Sequence, residues 1–222
     1  VNLINMRYRT LLSIILLITS YIAATAGDKD ANGLPTAAEA YLETPSAGIF
    51  LIDSITRMDM LDYYRSGSAT PSAAIIGGTA RITEEKPKSI KLTVGQTDFQ
   101  LALLYDGKNT IIALIETVAS TVPDSHITFY DRNWNELPKQ KGLFKSPALK
   151  DWLTEDGKRE RAYIEEVVPF IMARYDYDPD SKVLTISNTM ENYYTPEDWK
   201  DISAKLKASI AYRWNGKQFT KQ

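Results

Sequence analysis

Apolar and polar positions alternate most clearly over Ser89–Leu137, and the rest of the chain is best read around that stretch. Ile90, Leu92 and Val94 interleave with Lys91 and Thr93, the period of a half-buried strand. Phe99, Leu101, Leu103 and Tyr105 repeat it, while Ala102 and Leu104 make the second face apolar too. Asp106-Gly107 predicts a hairpin turn. Thr110–Val118 is apolar on both faces, which predicts a central strand carrying Ile112 and Leu114 deep in the core. Pro123-Asp124 marks a turn and His126–Tyr130 a further strand, after which Trp134 and Leu137 fold back onto the sheet. Connections this short force antiparallel neighbours.

The flanks mix helix with further hairpins. Thr36-Ala37-Ala38-Glu39 has the form of a capping box for a helix reaching Leu42. Thr44-Pro45 predicts a second helix start, and Thr56 a third that runs to Arg65. On a continuous helix Leu51, Ile55, Met58 and Leu61 share one face, and Asp62 falls inside that apolar stripe. A carboxylate there needs a partner, which makes Asp62 a candidate functional carboxylate. Lys86-Pro87-Lys88 separates two more strands. Beyond the basic, proline-flanked stretch 138–147, a helical turn or two is expected over Ala148–Glu155, ending near Gly157. Strands are expected at Phe170–Tyr177, Lys182–Asn188, Ser209–Trp214 and around Phe219. Thr195-Pro196-Glu197-Asp198 starts a helix with a threonine cap, proline in the first turn and two acids at the positive dipole end.

These elements predict an α+β fold, an antiparallel sheet with packed helices. The division expected is a leader over 1–26, an N-terminal half over 27–137, a linker over 138–147 and a C-terminal half over 148–222. The order of elements is analogous to the helix-plus-hairpin units of beta-lactamase-inhibitor-like proteins. Such an analogy carries no function.

Composition narrows the compartment. Arg7 and Arg9, the apolar run Leu11–Ala23 and Ala24-Thr25-Ala26 have the form of a cleaved export signal, with Gly27 the new N-terminus. The apolar run is too short for a membrane span. The formal charge of −2 becomes about −4 once the two leader arginines are gone, which argues against nucleic acid as a partner. The chain has no cysteine, so its stability rests on its core and not on disulfides. A periplasmic or secreted protein is expected.

Candidate chemistry is sparse. Asp124-Ser125-His126 cannot form a triad as consecutive residues, because their side chains alternate faces; it is expected to be a strand entry. His126 is the only histidine, which leaves almost no ligand set for zinc. Asp176, Asp178 and Asp180 echo a calcium loop, but Ser181 and Ser187 stand where such a loop needs glycine and glutamate. Aromatic residues gather near the C-terminus, and Tyr193, Tyr194 and Trp214 are the candidate ligand-binding residues, suited to a sugar ring or a peptide.

Three stretches together resemble a known family: Arg57–Tyr63, Gly77-Gly78, and Pro123–Asp131 with Trp134. The chain is similar to a secreted Bacteroidales family of unknown function. The resemblance implies export and an α+β fold, and supplies no catalytic residue. The expectation is a non-catalytic binding or interaction module without cofactor, its partner a protein or glycan. A carboxylate-dependent hydrolase and a glycan-binding accessory protein are the alternatives.

Overall fold

A computed structural model describes residues 35–45, 47–68, 70–74, 77–138 and 142–222. The leader 1–26 and the polar stretch 27–33 lie outside the described residues. Six strands form one antiparallel meander: β1 (Ser72–Ala73), β2 (Thr79–Lys86), β3 (Ser89–Val94), β4 (Thr97–Tyr105), β5 (Thr110–Val118) and β6 (Asp124–Tyr130). A second antiparallel sheet has β7 (Ala173–Asp178), β8 (Val183–Asn188), β9 (Ser209–Trp214) and β10 (Phe219–Lys221) in sequential order. Within each sheet every strand pairs with its neighbour in sequence; hairpin-length connections account for this except between β8 and β9, where the stretch from Asn188 to Ser209 is far longer. The N-terminal half thus carries a six-stranded sheet.

Two cores flank the central strands. Helices α1 (Ala37–Leu42), α2 (Ala47–Phe50) and α3 (Ser54–Arg65) accompany the first, where Phe99, Leu101, Leu103, Ile112 and Leu114 pack with Tyr41, Phe50 and Trp134. On the opposite face Ala102, Leu104, Ile111, Ala113 and Ile115 meet the second sheet. That core also holds Trp152 of α4 (Leu149–Trp152), Ile164 of α6 (Arg161–Val167) and Ile202 of α7 (Pro196–Lys205). Leu143 and Phe144, from the stretch expected as a linker, pack into it as well. The doubly apolar pattern of β4 and β5 is therefore the signature of a sheet covered on both sides.

Local chemistry accounts for where several elements depart from expectation. Thr36 caps α1 by accepting from the Glu39 N–H at 3.1 Å, but the Glu39 carboxylate turns to Arg132 instead of closing the box. Thr44 does not start a helix; its hydroxyl donates to the Tyr41 carbonyl at 2.8 Å and closes α1. Leu51 adopts a left-handed φ of 56°, which ends α2, and Asp53 restarts the chain by accepting from the Thr56 N–H at 2.8 Å. The break resets the helical phase. Arg57, Met60 and Leu61 face inward, while Ile55, Met58 and Asp62 are exposed. Gly157 does not stop a helix but lies inside α5 (Glu155–Arg159), where the Lys205 carbonyl oxygen approaches too closely to leave room for a Cβ. Pro169 lies two residues beyond the end of α6, consistent with its inability to continue a helix.

Tyr177 is buried, and burial pushes its phenol up to about 12. A raised folded value means that its contribution to stability is complete below the ordinary tyrosine value near 10 and is lost as pH rises toward 12. Stability is expected to fall over that window, and Tyr177→Phe should flatten the fall by roughly 2–3 kcal/mol. Denaturant melts of both proteins between pH 9 and about 12 check it.

Candidate functional site

The strongest surface feature is a chain of four aromatic rings beside α7. A short 3₁₀ turn, Met190–Tyr193, is pinned by buried Met190 and by the Asn188 Oδ1, which accepts from the Met190 N–H at 2.9 Å. Thr189 donates to the Pro123 carbonyl at 2.6 Å and Asn192 to the Thr121 carbonyl at 3.2 Å, tying the turn to the β5–β6 loop. Thr195 then caps α7, accepting from the Asp198 N–H at 3.2 Å, with Pro196 in the first turn. These constraints fix where the rings stand. Phe170 meets Tyr193 edge-on with centroids 5.3 Å apart, and Tyr193 meets Tyr194 at 5.1 Å. Tyr194 lies parallel to Trp199, at 6.1 Å and 9°. The Tyr194 hydroxyl donates to the Val167 carbonyl at 2.9 Å, and burial together with neighbouring Tyr193 raises its pKa. Phe170 and Tyr193 remain 42% and 48% exposed while in contact with each other.

Trp214 does not join them. It is buried, its indole N–H donates to the Tyr105 carbonyl at 2.9 Å, and its ring packs on Phe219. The β8–β9 register sets Val183 opposite Arg213 and Ser187 opposite Ser209. Trp214 therefore stands at one end of that pair and Tyr193 beyond the other, about 15–20 Å of strand away. Phe170, which packs on Tyr193 in its place, is remote in sequence from the others. Its sequence signal is only an apolar residue directly after Pro169.

The candidate carboxylates do not converge. Asp62 is exposed, so the apolar-stripe argument for it fails once the phase is reset. Asp176 pairs with Lys91 at 2.6 Å. Asp178 folds back onto the N–H groups of Asp180 and Ser181, both at 3.2 Å, and bonding to Ser181 and this turn lowers its pKa. Among the described residues no group of three or more His, Asp or Glu side chains is close enough to share a metal ion. Asp124-Ser125-His126 does not form a triad: Asp124 and Ser125 both turn to the backbone of β7, and His126 turns away to Glu116. Asp124 accepts from the Ala173 N–H, Ser125 from the Tyr175 N–H, and His126 contacts Glu116 at 2.5 Å.

Two buried polar residues were not foreseen. Arg57, 3% exposed, donates to the carbonyls of Ile52 and Thr44 at 2.9 and 2.8 Å, and burial lowers its pKa. Gln100 forms a two-point pair with the Tyr177 backbone, accepting from its N–H at 2.9 Å and donating to its carbonyl at 2.6 Å. With Asp124 and Ser125 it completes a row that satisfies the outward N–H groups of Ala173, Tyr175 and Tyr177, sealing the free edge of β7 against the first sheet.

Among the described residues no helix is long and apolar enough to cross a membrane. Comparison with curated proteins finds no match. Among solved structures the chain is similar to a domain of an uncharacterized protein from Porphyromonas gingivalis W83. That likeness has a TM-score of 0.69 at 19% identity, over 83% of this chain and 96% of that one. At that identity it shows the fold alone. A family described as "Protein of unknown function (DUF3256)" matches residues 34–219, and the chain belongs to that family.

Proposed function

We propose that the protein is an exported, non-catalytic binding module whose contact surface is the aromatic chain Phe170–Tyr193–Tyr194–Trp199. The observation that carries this reading is the exposure of Phe170 and Tyr193 on a scaffold that fixes both rings. Aromatic rings supply large contact area at little entropic cost, and anchors of this type dominate binding energy. Thr195, Glu197 and Asp198 stand exposed beside the rings, able to meet hydroxyl or amide groups of a ligand. A glycan or a peptide fits that combination. Export is supported by the basic, apolar and small-residue order of residues 7–26.

The test separates binding from acid–base chemistry. His126→Ala and Asp62→Asn should leave capture at the aromatic chain per folded molecule unchanged, since both side chains are exposed and neither belongs to that chain of rings. Loss of a general acid or base costs about a hundredfold or more in turnover. A turnover that drops by that factor in either well-folded variant overturns the non-catalytic reading.

A further inference from the structure

The aromatic chain stands among carboxylates that the fold leaves unpaired. Phe170 follows α6, and the other three rings come from the 3₁₀ turn and the start of α7. Arg161 on α6 is spent on Glu165 at 2.7 Å, and Asp201 on α7 holds Lys205 at 2.6 Å. Glu166, Glu191 and Glu197 are exposed, and none has an ion-pair partner among the described residues. Glu191 lies in the turn that carries Tyr193, and Glu197 two residues before Trp199 in the first turn of α7. Glu166 adjoins Val167, whose carbonyl accepts from the Tyr194 hydroxyl. On α6, the turn and α7, Lys200 is the one base without a carboxylate among the described residues.

The described chain is continuous around these rings. Pro35, where it begins, lines a cavity with Tyr105 and Trp214. On either side of 139–141, Leu137 donates to the Phe129 carbonyl and Leu143 accepts from the Phe219 N–H, and Phe219 packs on both Phe129 and Trp214. Those flanks therefore gather at the Trp214 end of the second sheet. The Tyr193 turn lies at the other end, tied to Thr121 and Pro123. Positions 46, 69 and 75–76 fall between α1 and β2, whose apolar residues build the first core.

Carboxylates beside exposed rings select among the ligands that the rings admit. The face of an aromatic ring attracts a cation within about 6 Å of its centroid, and neighbouring carboxylates add to that attraction. A neutral sugar gains nothing from the charges, and an acidic ligand is repelled. The same two helices already hold one cation in this way. The Lys205 Nζ stands 5.6 Å from the Tyr163 ring centroid, with Asp201 at 2.6 Å and Glu160 at 3.7 Å. Taking the aromatic chain as the contact surface, as proposed above, we infer that its occupant is a basic peptide. An arginine or lysine side chain lies against the exposed rings of Phe170 and Tyr193, and the unpaired glutamates compensate its charge.

The probe is a dye-labelled, amidated hexapeptide of alternating arginine and glycine, followed by fluorescence anisotropy. A matched peptide carries citrulline for arginine, which keeps the planar shape and removes the charge. A neutral glucose hexasaccharide is titrated in parallel by calorimetry. The arginine peptide should bind at least fivefold more tightly than the citrulline peptide at low salt, with the gap narrowing as salt rises. Phe170→Ala/Tyr193→Ala leaves the net charge unchanged, so it separates ring contact from general attraction to an acidic protein. It should weaken the arginine peptide at least tenfold. Glu166→Gln/Glu191→Gln/Glu197→Gln alters exposed side chains only. It should weaken the arginine peptide at least fivefold and leave the citrulline peptide unchanged. Arginine and citrulline peptides that bind alike, with both lost in the ring variant, overturn the basic occupant and leave the contact surface standing. Ring-dependent binding of the hexasaccharide with none of the arginine peptide does the same. Arginine-peptide binding that survives in the ring variant overturns the inference and counts against the contact surface as well.

Discussion

Truncating Leu114 to alanine is expected to cost about 2–5 kcal/mol of stability, the range for emptying a buried leucine site. Leu114 is 1% exposed. It stands at the centre of β5, opposite Leu101 on β4 and Thr128 on β6, where the strands on both sides leave little room to collapse. Denaturant melts read the effect directly. A loss below about 1 kcal/mol would mean that the first core is not organised around β5.

Gln100→Ala should cost a comparable amount, about 2–5 kcal/mol, for a different reason. The side chain is 5% exposed and serves both the N–H and the C=O of Tyr177. Its removal leaves a donor and an acceptor unpaired, each costing about 1–3 kcal/mol when buried. Gln100→Glu is the sharper control. It keeps an acceptor for the Tyr177 N–H but sets a carboxylate oxygen against the Tyr177 carbonyl, so it should not rescue. If Gln100→Glu were as stable as wild type, the two-point pair would not be holding the sheets together.

The contrast between these residues shows what the sequence made legible. β5 was readable to the residue, Thr110–Val118, because β-branched and apolar side chains, interrupted by Glu116 alone, run between two turn signals. The last hairpin was equally plain, since Asn215-Gly216 sits between the run Ser209–Trp214 and the short strand around Phe219, and Gly216 does adopt a positive φ of 92°. The helix phase before Asp62 was not readable, because a leucine at positive φ carries no compositional mark; Leu51 resembles any other apolar position. The same limit hid the site. Tyr193, Tyr194 and Trp214 lie close in sequence, yet the length of the β8–β9 pair separates Trp214 from the other two, and Phe170 arrives from before β7. Gln100 left a faint trace, a lone amide inside an apolar strand, but its partner is 77 residues away. Contacts that close over such separations are set by tertiary packing, which local pattern does not encode.

Arg57 belongs with these hidden residues. Its guanidinium holds the carbonyls of Thr44 and Ile52, bracketing the segment between α1 and α3. A buried cation bonded only to neutral carbonyls is costly to desolvate, so its retention is explained by the two strong bonds that fix this turn.

The most direct test of the binding-module account is ligand capture by wild type and by the double variant Phe170→Ala/Tyr193→Ala, normalised to folded protein. Both rings are exposed, so the variant should fold with little loss of stability. Each removed anchor is worth about 1–2 kcal/mol, so affinity for the captured glycan or peptide should drop at least tenfold. Trp199 fluorescence, perturbed by ligand in wild type, should no longer respond. Unchanged capture in the double variant, with an unchanged Trp199 response, would contradict the account.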